Sequence, residues 1–240
     1  MDDFRIFMGE DFVVNDSIRI RQPKLREVVE MGEQAYWGVI SIFTMIPSDI
    51  KAPLWGAGVD WEKLSDFDLF ITLVKTASLD RTRILFGDLD FTKFVPIRSP
   101  QTGDTVLYEP ERKIIIDEPI HHKIVEFFKV THCITKKRDI AGNENTKTIL
   151  IELNRSDLED ATKSQEKSYM RQLVSSMILY PGFDYGYQTI LDITYFQLMD
   201  AVQRSQIYTS TIALMQGAYS GMCDVSKINK SKFDWMRAAI

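Results

Sequence analysis

Cysteine is scarce in this chain: its 240 residues hold two, Cys133 and Cys223, about ninety positions apart. Such a pair supports neither a disulfide framework nor a zinc site with its closely spaced ligands, and it fits a reducing compartment. Long apolar runs are missing as well. The longest, from Ala35 to Ile46, is interrupted by Gly38, Ser41 and Thr44 and falls far short of the ~20 residues that span a bilayer. The opening MDDFRIFMGED is acidic where a signal peptide is basic, so the chain is expected to start at Met1 and to be soluble. Positive charge is not in excess: 29 Lys and Arg face 34 Asp and Glu, for a net charge of −5. That balance argues against a nucleic-acid binder, whose affinity comes chiefly from cations neutralising phosphates. Glycine-rich phosphate loops, dinucleotide turns and the G-x-S-x-G elbow are absent too, which removes most support for nucleotide-dependent and hydrolase chemistry.

What is present is an ordinary globular composition, 45% hydrophobic and 26% charged, in a chain long enough to bury its own core. Residues 1–22 read as a small β-meander, with turn clusters at Gly9 to Asp11 and Asn15 to Ser17 and with Ile18 and Ile20 alternating with Arg19 and Arg21. From Leu25 the period changes. Val28, Val29, Tyr36, Val39, Ile40 and Phe43 follow the stripe of an amphipathic helix that Gly32 weakens or divides and Pro47 stops. Ser48 then caps a short helix through Trp55, which ends at Gly56 and Gly58, and Ser65 opens another through Thr76 in a Ser-x-x-acid capping arrangement. A further turn capped by Ser78 or Asp80 ends at Gly87, completing a helical segment over 23–87.

The stretch 88–118 reads as a β-rich insert, punctuated by Pro96, Pro100, Gly103 and Pro110, whose firmest piece is a hairpin of TVLYE and KIIID joined by PER. Residues 119–240 are mainly helical. One helix starts at Pro119, a second runs from Ser156 to Leu179, two more cover Tyr187 to Gln203 and Gln206 to Tyr219, and a short one opens at Ser231 and passes Trp235. Between them Lys136 to Asn145 is the most loop-like segment and the expected flexible tip, while Ile149 to Ile151 suits strand or helix equally. With no long repeat and no linker, the expectation is one compact unit over 1–240: an α+β fold, mainly helical, with an N-terminal β-meander and a central β-rich insert.

Chemistry-bearing residues are few. His121, His122, His132 and Cys133 offer four ligand types within thirteen residues, but two adjacent histidines diverge by about 100° on a helix, so no metal is assigned. Two Asp-x-Asp pairs, Asp66 with Asp68 and Asp88 with Asp90, could hold Mg²⁺ for phosphoryl transfer. Their positions at a helix start and after a helix end suit capping instead. Cys133 beside His132 lacks the third, orienting group of a nucleophilic site. The aromatic residues are more informative, since tryptophan is enriched at protein interfaces. Trp55, Trp61, Phe67 and Phe70, with Tyr36 and Trp37 upstream, read first as the core between the first helices; Trp37 lies off the apolar stripe and is the expected partner anchor, with Trp55 and Trp61 as further protein-binding candidates. No catalytic residue, cofactor or metal ligand is assigned.

Taken together, QPKLREVVEMGEQAYW, DFDLF, RILFGDLDF, LVSSMILYPGFDYGY and INKSKFDWMR resemble a group of virion-morphogenesis proteins from the tail region of phages and prophages of Gram-positive bacteria, along nearly the whole chain. The resemblance implies assembly rather than catalysis: a non-enzymatic tail-assembly protein of chaperone type that binds the tape measure or tail tube in the host cytoplasm. A permanent virion component at the head–tail junction or baseplate, contacting neighbouring virion subunits through the β insert and the Gly142 loop, is the alternative. An Mg²⁺-dependent nucleic-acid enzyme using the four aspartates is a third reading. Neither a membrane nor a nucleic acid is expected as partner, and an oligomer is compatible with any of these roles.

Overall fold

The computed structural model describes residues 4–99, 102–163, 168–222 and 224–238. Residues 1–3 of the expected meander, Pro100, residues 164–167 of the expected long helix, and Cys223 lie outside these. The fold is α+β and mainly helical, as its periodicities imply. Ten α-helices, α1 to α10, are found among the described residues, with two small antiparallel sheets of two and three strands.

The N-terminal segment departs from the expected meander. Phe4–Phe7 forms a single helical turn, α1, and only β1 (Phe12–Val13) and β2 (Arg19–Ile20) pair. Asn15 accepts from the amides of Ser17 and Ile18 and makes the turn between them. Ile18 and Ile20 are buried as the alternation requires, and Phe12 stacks on Phe127 at 5.0 Å.

Gly32 does divide the first helical stretch. At φ 91° it takes a conformation that other residues adopt at a cost, which separates α2 (Leu25–Met31) from α3 (Glu33–Thr44). Helix α3 lies at the centre of the core. Its Phe43 is surrounded by Phe70, Phe86, Phe91 and Phe128 at ring separations of 4.8 to 5.7 Å. Burying one such ring stabilises the fold by roughly 1.5–3 kcal/mol. Those rings come from α5 (Asp66–Leu73), α6 (Leu79–Phe86), the 3₁₀ turn Phe91–Lys93 and α7 (Glu118–Thr131), so four segments meet on one side chain.

Helix α4 (Lys51–Gly56) follows a 3₁₀ turn at Pro47–Ile50. Ser48 does not cap it: the side chain is buried in that turn and accepts from the amide of Asp139 at 2.9 Å. Ser65 does cap α5, accepting from the Asp68 amide at 3.0 Å and donating to the Asp68 carboxylate. The insert forms the sheet β3 (Val95–Arg98), β4 (Thr105–Glu109) and β5 (Ile114–Ile116), paired in that order. Its hairpin has the expected strands, with Leu107 opposite Ile116 and Glu109 opposite Ile114.

In the second half the element types hold and several boundaries move. Helix α8 spans Glu144–Lys163, twelve residues ahead of the expected start at Ser156, because Asn143 caps it by accepting from the Thr146 amide at 2.8 Å. Ile149 to Ile151 are therefore helical. Helix α9 (Tyr169–Ile178) begins afresh at its own cap, Ser168. The two helices expected after Tyr187 are one, α10 (Tyr195–Tyr219), since no Pro or Gly interrupts the chain between Gln203 and Gln206, and the Ser205 hydroxyl bonds back to Ala201 O at 2.7 Å within it. A 3₁₀ turn, Lys230–Phe233, capped by Asn229 rather than Ser231, stands for the short closing helix.

One buried apolar cluster runs from Ile6 to Leu198, drawing on α2, α3, α5, α6, α7, α9 and the first turns of α10. A smaller one joins Ala52 and Trp61 to Ile151 of α8.

Candidate functional site

Trp37, Trp55 and Trp61 end in different surroundings. Trp61 is 1% exposed, and its indole N–H donates to Asp139 O. Its ring meets that of Trp55 edge-on at 6.2 Å, and the Lys147 ammonium lies over both, 5.3 Å from Trp55 and 5.0 Å from Trp61. The same ammonium donates to Asp60 at 2.9 Å and to Glu62 at 3.0 Å. These bonds, with a third from the Ala141 amide to Glu62, hold both carboxyls below their ordinary pKa values and raise that of Lys147. Trp61 thus serves the interior, and its assignment as a partner contact is corrected. Trp55, 45% exposed, closes the outer side of this cage.

The segment expected to be a flexible tip is tied to the same region. Lys136 pairs with Asp49 at 2.6 Å, and Arg138 reaches Leu64 O and Asp66. Asp139 pairs with the buried Lys51 at 2.6 Å. Asn154 of α8 completes the arrangement by accepting from the Ala52 amide and donating to Asp49 O. The residue types of this loop imply mobility; their partners, 74 to 91 positions away in sequence, hold it in place.

Trp37 is half-buried and faces a groove of about 540 Å³ lined by Gly32, Glu33, Gln34, Ser41, Ser168 and Tyr169. One side of its ring is fixed edge-on by Tyr195 at 5.4 Å and by His132 at 5.6 Å. His132 is buried, and its protonation state follows from its partners. Phe128 O can only accept, so Nδ1 carries the proton, and Nε2 accepts from the Tyr36 hydroxyl at 2.7 Å. Burial presses its pKa from 6.5 down to about 3, so the ring is neutral. The opposite wall comes from the start of α9. Glu33 accepts from the Ser168 hydroxyl at 2.6 Å and the Met170 amide at 3.0 Å, which joins α3 to α9 and satisfies the carboxylate that lines the groove among the described residues. Tyr169, exposed at the mouth, carries no helical or motif signal in the sequence; its place depends on a contact 135 residues away.

The remaining candidates are dispersed. His121 is buried against Phe70 at 4.3 Å with its pKa lowered to about 4 by burial, while His122 faces solvent. Cys133 accepts from Gln203, and burial raises its pKa; both nitrogens of its neighbour His132 are engaged elsewhere. Asp66 lies beside Arg138, Asp68 in its cap, Asp88 beside Arg83, and Asp90 caps the turn at Phe91. Among the described residues, no three His, Cys, Asp or Glu side chains are grouped to hold a metal.

A family profile described as the YomV second domain matches residues 162–239. The name is phage-associated and agrees loosely with the resemblance drawn from the sequence. No curated protein and no solved structure matches the chain. The YomV-like segment contributes Ser168 and Tyr169 to the groove and Tyr195 to the support of Trp37, so the groove is built jointly with the helices that precede it. No helix among the described residues is long and apolar enough to cross a membrane.

Proposed function

We propose that this chain is a non-enzymatic phage morphogenesis protein, a tail-assembly protein of chaperone type whose Trp37 groove holds an apolar or helical segment of the tape measure or tail tube until assembly replaces it. The observation that carries this reading is Trp37 itself. It is a half-buried tryptophan fixed from behind, beside the exposed Tyr169, and open to a groove that no described side chain fills and whose Glu33 carboxylate is already hydrogen-bonded. A volume of about 540 Å³ falls within the range of natural binding clefts, and rigid aromatic anchors commonly carry most of an interface's energy. The phage-associated name of the matching profile supports the setting. Action in the host cytoplasm, without cofactor or metal, follows from this role.

The test is co-purification with the tape measure or tail-tube protein of the parent phage. Ser41→Trp, which fills the groove, is expected to abolish capture while leaving stability within about 0.5 kcal/mol of the parent. Unchanged capture by Ser41→Trp removes the groove from the proposal. Mass spectrometry of purified particles then separates a transient chaperone from a retained subunit: stoichiometric amounts in the virion overturn the chaperone reading in favour of a junction or baseplate component.

A further inference from the structure

Helix α10 carries an apolar stripe that outlasts the core it packs on. Leu198, Ala201, Ser205, Tyr208, Ile212, Met215 and Tyr219 follow one another at alternating intervals of three and four, the 3.5-residue spacing at which paired helices keep one seam in contact. Leu198 is fully buried in the main cluster, and Ala201 packs against it. The stripe then leaves the core. Tyr219 is 87% exposed, and Met222, just past the C-terminal Gly221 where an apolar residue ordinarily folds back on the last turn, is 86% exposed. Among the described residues the closing segment covers a neighbouring strip and touches the stripe at one point: Thr211 is buried beneath Lys232 and Arg237, and Trp235 meets Tyr208 edge-on at 6.1 Å while keeping more than half its own surface in water.

Charge narrows what can cover this face. From Ser205 to Cys223 nineteen consecutive residues carry none, in a chain otherwise rich in both signs. Helix pairs select foreign partners largely through charges flanking the seam, and the α10 stripe, unlike the closing segment with its Lys227, Lys230, Lys232, Asp234 and Arg237, places no like charges opposite one another when two identical helices meet. With aromatic side chains each carrying on the order of 200 Å², the exposed parts of Tyr208, Tyr219, Met222, Trp235 and Met236 amount to roughly 700 Å² per chain. A standard interface takes about 800 Å² from each partner.

We infer that the distal half of α10, with the closing segment beside it, is the contact surface for a second copy of this chain, paired along the helix. The surface is separate from the Trp37 groove, and the inference does not depend on what that groove binds. Light scattering coupled to size exclusion tests it on the full chain. At about 50 µM the parent is expected at twice its 27.8 kDa mass, and Tyr219→Glu with Met222→Glu at the monomer mass, a weakening of dimerisation of at least a hundredfold. Both residues are almost fully exposed, so the variant is expected to keep the parent's circular dichroism and melting temperature. A monomeric parent at 100 µM, or a folded double variant that still dimerises, overturns the inference.

Discussion

The Trp55–Trp61 cage and the Trp37 groove are both aromatic sites built on the same helical segment, yet one is filled by the chain and the other is left open. The cage receives Lys147 from α8 together with two carboxylates to balance it. The groove receives a wall from α9 but, among the described residues, no side chain that occupies it. Aromatic content therefore does not distinguish an occupied site from an open one. What distinguishes them is whether a distant element supplies an occupant.

The strongest way to break this contrast is to remove Trp61. Trp61→Ala is expected to cost about 3–5 kcal/mol in urea denaturation, the usual effect of truncating a fully buried tryptophan. A loss below 1 kcal/mol places Trp61 outside the structural role given to it.

Acid separates the two sites next. His132 behind Trp37 has a folded pKa of about 3, below its ordinary 6.5. As pH falls the unfolded chain takes up this proton first, so the stabilisation is complete above pH 6.5 and declines towards pH 3, by up to about 1.4 kcal/mol per pH unit. His121, pressed down to about 4, adds to the same decline. Asp60 and Glu62 around Lys147 have lowered values, so their contribution is complete above their ordinary 3.8 and 4.5 and is lost only as pH falls below these. Melting temperature is thus expected to fall between pH 6.5 and 5 while the Ala141 amide, held by Glu62, stays protected from hydrogen exchange. Simultaneous loss of both refutes the separation.

The mildest test is Lys147→Met, which keeps the stem against the tryptophans and removes the charge. Exchange at Ala141 and along 134–142 is expected to accelerate, with no change in partner capture through the Trp37 groove. Unchanged exchange in that loop disconnects the lysine from loop placement.

Local features were legible in the sequence. The Ser65 cap, the break at Gly32 and the hairpin of β4 and β5 depend on residues a few positions apart, and each stands as its residue pattern implies. The position of Trp37 off the apolar stripe is likewise local, and the structure leaves it half-buried beside the groove. The errors share a cause: the decisive partner is far along the chain. Trp61 reads as a partner contact until Lys147 arrives from eighty-six positions away. Tyr169 was missed for the same reason, since it reaches the groove only through the Glu33–Ser168 contact.

That contact also sets an order of events at the ribosome. Glu33 waits for Ser168, and the Leu25 amide waits for Ile193 O, with which it bonds at 2.9 Å. At translation rates of about 5–20 residues per second, α2 and α3 emerge roughly ten seconds before the helices that cover them. During that interval the nascent chain leaves Trp37 and the α9-facing side of α3 uncovered, while α5, α6 and α7 are already available to pack on its other side.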